Sequence, residues 1–384
     1  MRYTHWMLIA SLTIFVLLAT ACQPKIRTEA ELGQAFQKAL DEMVDGNENT
    51  HNAVMLVQGS DFTWKGASGL ANPDTGLEML PDDQYRSASS AKMTLATLTL
   101  KLVEDGAIDL DAPIADYLSA DIVAGLHVYE GTDYSGTITT RQLLHHTTGL
   151  ADDWFDERDE GRFLKMALET DIDRLWEPAE LVAYVKENLP PLFAPDEGIN
   201  YSDVNFVLAG LVIEAATGEP LHEVYRKQLF TPLGMDHTYM EFREEPRPSL
   251  AGRALSHVFY EEVDYTSFRS LSADWAGGGL VTTAEDMTRF IRAFADNTIF
   301  DDPETRDSMF DWMPWQGDSL DYGLGLMRIK GKTLTVWGHL GVGQAFMFYW
   351  PDGDVTMCGT MNQNEVQVGG FMSKVLKAVE SYRE

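Results

Sequence analysis

Residues 323–360 read GLGLMRIKGKTLTVWGHLGVGQAFMFYWPDGDVTMCGT. Four runs in this stretch, 323–329, 333–337, 345–350 and 355–360, are rich in β-branched, aromatic and other apolar residues. Gly331-Lys332, the segment 339–343 and Pro351-Asp352-Gly353-Asp354 separate them. Connections this short favour antiparallel neighbours, because a parallel pair needs a crossover of a dozen residues or more. Two further runs near the start, 53–58 and 62–69, flank the turn Gly59-Ser60-Asp61. Leu32, Phe36, Leu40 and Met43 recur at helical spacing over 29–44, and a closing helix is expected over 366–382. Between the two strand-rich ends lie an apolar-faced helix, 92–104, stopped by Gly106, and another, 208–216, closed by Gly218. The pattern predicts an α+β fold: one antiparallel sheet built from both chain ends, with flanking helices. Residues 29–105 and 271–384 would form the sheet domain, and 106–270 a mostly helical insertion.

The 384 residues carry 29 Lys plus Arg against 60 Asp plus Glu, a formal net charge of −31. Such a chain lacks the basic face that nucleic acid requires. Hydrophobic residues at 45% and aromatics at 11% are those of a globular protein rather than a disordered one. Residues 1–21 open with Arg2 and continue through an uncharged apolar run, 7–21, short of the ~20 residues of a spanning helix. Small residues, Ala19-Thr20-Ala21, precede Cys22, giving the layout of a secretory signal. A small-residue site directly followed by cysteine resembles the bacterial lipobox. That resemblance implies cleavage before Cys22, a lipid anchor on it, and residues 22–28 as a tether. Gln23, where an Asp would retain the protein in the inner membrane, implies the outer membrane with the chain facing the periplasm. A plain signal peptide with an incidental cysteine is the alternative. Cys358 would then have no disulfide partner if Cys22 carries lipid, and its apolar surroundings read as a small buried side chain.

Several chemistries find no support. There is no His-Glu-x-x-His and no Cys/His cluster for zinc, and no Gly-x-Ser-x-Gly elbow. Residues 325–333 are one residue too long between glycines for a P-loop, and Lys332-Thr333-Leu334 lacks the glycine of a Lys-Thr-Gly motif. The pair His145-His146 reads as structural. What the chain does offer is Ser89-Ser90-Ala91-Lys92 at the head of a helix. Ser-x-x-Lys puts hydroxyl and amine on one face, one turn apart. A neighbouring amine can take the proton from a serine hydroxyl, and the helix N-terminus favours the charge that develops.

Ser89-Ser90-Ala91-Lys92, then Tyr201-Ser202-Asp203, then His339-Leu340-Gly341 resemble, in order, the three motifs of the serine β-lactamase and penicillin-binding-protein family. The class C and D,D-peptidase-like branch is the nearest in pattern. Leu143-Leu144-His145-His146-Thr147-Thr148-Gly149-Leu150, Pro232-Leu233-Gly234-Met235 and residues 277–286 (GGGLVTTAED) resemble three more stretches of that family. The similarity runs from about residue 30 to 380. It implies a serine hydrolase with Ser89 as the acylated nucleophile, Lys92 as its activator and Tyr201 as general acid or base. It also implies an oxyanion hole from the N–H groups of Ser89 and Val342, Gly341 kept bare for substrate lying along the strand, and His339 at the substrate edge. No metal or organic cofactor is implied; the partner is a small-molecule or peptide substrate.

Two departures redirect the expectation. Asp203 stands where the family commonly shows Asn, and a carboxylate only accepts hydrogen bonds. It is expected to hold Lys92 as a cation, shifting the base role toward Tyr201. His339 replaces a lysine, so recognition of a substrate carboxylate is expected to be weaker and pH-dependent. Both changes favour a small ester or amide/peptide substrate over a true class C β-lactamase or D-alanyl-D-alanine carboxypeptidase. A non-catalytic peptidoglycan-sensing relative is the rival from another class.

Overall fold

The computed structural model describes residues 25–384 apart from 157, 159, 160, 250, 251, 332 and 333. The expected signal peptide, the lipidated Cys22, the first tether residues and Lys332-Thr333 lie outside the described residues. A nine-stranded sheet organises the fold. Its strands are β1 (Asn52–Gln58), β2 (Thr63–Asn72), β3 (Leu77–Glu78), β4 (Met313–Gln316), β5 (Leu320–Tyr322), β6 (Met327–Lys330), β7 (Thr335–Leu340), β8 (Phe346–Trp350) and β9 (Val355–Thr360). They run in the order β4-β5-β6-β7-β8-β9-β1-β2-β3, so the two chain ends meet where β9 pairs antiparallel with β1.

Both faces of the sheet centre are covered, so β1 is apolar from Ala53 to Val57 rather than alternating. Ala53, Met55 and Val57 join Phe346, Phe348 and Met357 under helix α1 (Glu29–Asp45) and the last helix, Val368–Arg383. Leu32, Phe36 and Leu40 of α1 are buried there, each side chain contributing about 1.5–3 kcal/mol on removal from water. Cys358 and Met347 face the opposite core with Phe290 and Phe294 of the helix Ala284–Ala295. The Cys358 thiol is free and fully buried, and burial pushes it up to about 12.

The expected runs recur as β1, β2, β6, β7, β8 and β9, but the hairpin β4–β5 was not foreseen. Its sequence, MPWQGDSLDY, carries Pro314 and the polar turn Gly317-Asp318-Ser319, and a proline is tolerated because β4 is an edge strand with a bulge. β7 also extends past Trp337, which places His339 inside the strand rather than in a turn.

Helix α2 (Ala91–Glu104) is buried along most of its length, and helix α3 (Asp203–Thr217) packs near it. A small sheet ties distant segments together beside them. Leu280–Thr282 lies between Tyr85–Arg86 and Tyr239–Met240. Thr283 caps the helix Ala284–Ala295 by accepting from Asp286 N–H, while Asp286 accepts from His237 N–H and Thr238. The Pro232–Met235 turn and the glycine-rich stretch are thereby joined just upstream of Ser89. Among the described residues no single helix is long and apolar enough to cross a membrane.

Candidate active site

Ser89 sits in a 3-10 turn, Ala88–Ser90, that runs directly into α2. Ala88 adopts φ +43°, a left-handed conformation that costs a non-glycine residue of order 1–3 kcal/mol. The turn is fixed by Ser90 Oγ donating to Ser87 O at 2.7 Å and Ser87 Oγ donating to Leu280 O at 2.9 Å. A 3-10 turn stacks residues three apart, and Lys92 Nζ therefore reaches Ser89 Oγ at 3.0 Å. Lys92 is 0% exposed. Its remaining donors go to Gly277 O at 2.9 Å and to Asp203 in a very short ion pair. Gly277 keeps this spot open: a Cβ would stand 3.1 Å from Asp203 Oδ1 and 3.5 Å from Lys92 Nζ.

Tyr201 precedes α3, and the Ser89 hydroxyl lies near enough to its phenol to favour the ionised form. Burial, and next the Asp203 carboxylate, hold that phenol well above the ordinary range, so it is kept neutral. Its ring stacks on Trp315 at 5.4 Å and packs on His146 at 4.3 Å. Lys92 Nζ lies 5.0 Å from the ring centroid. The structure thus brings Ser89, Lys92, Tyr201 and Asp203 into one cluster. The ion pair expected between Asp203 and Lys92 is formed, and the same carboxylate opposes ionisation of the Tyr201 phenol.

His339 requires a correction. It is 0% exposed, and both ring nitrogens are engaged inside the protein. Nδ1–H donates to Leu340 O at 2.8 Å, so Nε2 accepts from the Tyr322 hydroxyl at 3.1 Å. Ser202 N–H donates to His146 Nδ1, leaving His146 Nε2–H to donate to Tyr322 Oη at 3.2 Å. A directed chain of hydrogen bonds, His146 to Tyr322 to His339, lies beneath Tyr201. Burial, and next the Lys92 charge, lower His339 to about 3, and the same causes hold His146 well below the imidazole range. A neutral, internally bonded imidazole does not recognise a substrate carboxylate.

The depressed His339 makes a prediction for stability. The unfolded chain takes up a proton near pH ~6.5, whereas the folded chain excludes it down to about 3. Between those values the unfolded state binds more protons, so stability falls as pH drops through that window. Buried Asp152 and Asp274, each raised to about 7, act in the opposite sense in wild type and variant alike. Urea midpoints followed from about pH 7 to about pH 4 should therefore show a shallower acid loss in His339→Asn than in wild type. Equal slopes would refute a buried neutral imidazole.

Gly341 and Val342 end β7 against the Ser89 turn. A Cβ on Gly341 would lie 2.7 Å from Ser87 O and 2.8 Å from Ser89 N. Clearance for the backbone of the nucleophile turn is a reason for a glycine beside the expected clearance for substrate. Gly341→Ala should cost ~1–3 kcal/mol in chemical denaturation, since neither neighbour is a flexible side chain, and should reduce turnover by displacing Ser89. Ser89 and Val342 both line one narrow cleft, partly open to solvent.

The sequence reading missed Asp152, Asp274, Trp315 and Tyr322. Asp152 Oδ1 accepts from Asp203 N–H at 3.1 Å, and Asp274 lines the cleft with Asp203. The Asp152 shift is led by burial and then by Asp203; the order is the same for Asp274. Only Asp152 had a signal, its place in an acidic stretch next to Leu150-Ala151. Trp315 and Tyr322 sit on the unforeseen hairpin.

Comparison with known proteins agrees with this geometry. The family model described as Beta-lactamase matches residues 36–375. Penicillin-binding protein 4 of Amycolatopsis lactamdurans is 31% identical over 241 residues, 62% of this chain and 57% of that protein. Esterase EstB of Burkholderia gladioli is 31% identical over 208 residues, 54% of this chain and 50% of that one. The chain thus spans about half the length of these relatives. Among solved structures, a D-stereospecific amidohydrolase from Streptomyces sp. superposes with a TM-score of 0.74 at 28% identity, covering 90% of this chain and 98% of that one. D-amino acid amidase from Ochrobactrum anthropi shares the fold, with a TM-score of 0.77 at 24% identity, over 92% and 100% of the two chains. With the family model spanning the sheet, the helical insertion and all three motif positions, the chain belongs to the beta-lactamase family.

Proposed function

We propose that the protein is a serine hydrolase acting through a Ser89 acyl-enzyme on a small ester or amide. The observation that carries this is Lys92 Nζ, buried and 3.0 Å from Ser89 Oγ, with the Tyr201 ring 5.0 Å from the same amine. Ser89 Oγ attacks the acyl carbon, and the carbonyl electron pair moves to oxygen beside the N–H groups of Ser89 and Val342. Lys92 accepts the serine proton as it passes one of its own to Asp203, its closest contact. Tyr201, a neutral phenol, protonates the leaving group and recovers a proton through Lys92. Water then attacks the acyl carbon, releasing the carboxylic acid and returning the proton to Ser89.

A β-lactamase is the reading suggested by the description of the family, and a D-alanyl-D-alanine carboxypeptidase by the name of an Escherichia coli relative. Those substrates bear a carboxylate, and this cleft presents Asp203 and Asp274 to it. Arg86, which also lines the cleft, is held by Glu241 through two bonds of 2.7 and 2.8 Å. Turnover of p-nitrophenyl acetate and butyrate should exceed that of nitrocefin; far faster lactam hydrolysis would reverse the preference. The leader supports a lipid anchor at Cys22, holding the chain at the outer membrane toward the periplasm. Cys22→Ser should move the protein from the membrane to the soluble fraction, and retention in the membrane would contradict the anchor.

A further inference from the structure

We infer that His146 is a positioning residue for the reaction at Ser89, holding the Tyr201 phenol where it meets the leaving group. This rests on the serine-hydrolase reading and adds to it a residue that acts through Tyr201 alone. His146 follows the helix Thr140–His145 as its C-cap, with φ 59° and ψ 31°. Glycine or asparagine ordinarily fills such a left-handed cap. Capping therefore accounts for the backbone at this place. It does not account for an imidazole there, 0% exposed and bonded through both nitrogens.

The grip is on both sides of Tyr201. Asn200 N–H donates to His146 O at 2.9 Å, and Ser202 N–H donates to His146 Nδ1 at 3.2 Å. One residue thus accepts from the two main-chain donors that flank the tyrosine. Its ring also packs on the Tyr201 ring, 4.3 Å between centroids at 36°. The tautomer this needs is built in. Asn205 Nδ2 is a second donor to His146 Nδ1 at 3.2 Å, and Thr148 Oγ1 orients that amide by donating to its Oδ1 at 2.8 Å. With Nδ1 the acceptor, Nε2 carries the proton and donates to the Tyr322 hydroxyl at 3.2 Å. Tyr322 donates in turn to His339 Nε2 at 3.1 Å, which anchors the clamp to strand β7 of the sheet. A misplacement of ~1 Å at a reacting group can cost ~10² in rate, and this is the leverage His146 has without meeting the substrate.

The test is leaving-group dependence. p-Nitrophenolate departs without help, whereas the phenolate of phenyl butyrate is a poorer leaving group and draws on the Tyr201 proton. His146→Gly keeps the left-handed backbone and removes the ring. Its kcat/KM should fall by ~10-fold or more for phenyl butyrate and by much less for p-nitrophenyl butyrate. In a Tyr201→Phe background the same substitution should cost less than ~2-fold, because the two residues act as one unit. His146→Asn, whose amide oxygen can accept from Ser202 N–H, should recover part of the loss. Tyr322→Phe deletes one oxygen, should give the same pattern at smaller size, and serves if His146→Gly does not fold. An equal loss on both esters, or an undiminished loss in the Tyr201→Phe background, would overturn the inference while leaving the hydrolase reading in place. No ester turnover by wild type, with no fluorophosphonate adduct on Ser89, would remove both.

Discussion

Ser89→Ala is expected to lower ester and amide hydrolysis by a factor on the order of 10⁴ or more, as loss of a covalent nucleophile does elsewhere. Its side chain is partly exposed at the cleft, and the turn that carries it is fixed by Ser87 and Ser90 rather than by Ser89. Thermal unfolding of the variant should therefore stay close to that of wild type, so the loss reads as chemistry. Retention of a tenth of the activity would mean that another group attacks the substrate.

The second large effect belongs to Lys92. Lys92→Met should lower kcat/KM by ~10²–10⁴, the range of positioned acid–base groups. It should also destabilise the fold by ~3–5 kcal/mol, because removing one partner of a buried ion pair strands the other charge. Here the stranded charge is Asp203, whose carboxylate already helps to raise both Asp152 and Asp274. Combining Lys92→Met with Asp203→Asn removes both charges. The double variant is expected to regain much of the stability and none of the activity, and the cycle measures the coupling. Additive losses in urea unfolding would contradict the pairing.

The sheet was legible because its strands announce themselves: β9 was read to the residue, and β1 and β8 to within one. The hairpin β4–β5 was not, since Pro314, Gln316 and Asp321 break the apolar pattern and an edge strand needs only one buried face. With it went Trp315 and Tyr322, which surround Tyr201. The separation of Ser89 and Lys92 could be read from spacing, because three residues on one helical turn fix it, but their roles were implied by the resemblance to the family. The state of His339 could not be. Its character comes from burial and from Tyr322, on a neighbouring part of the sheet, and neither is written in the residues beside it. Asp274 was hidden for a similar reason: its place on the cleft wall comes from the fold and is not written in the residues beside it.

The most direct test is the mass of the protein after brief exposure to a fluorophosphonate, with the labelled peptide mapped by tandem mass spectrometry. One adduct, on Ser89, formed by folded wild type and absent from Lys92→Met, is the result expected. A folded protein that takes no label, or takes it on a residue other than Ser89, would contradict a cluster in which Lys92 activates that hydroxyl.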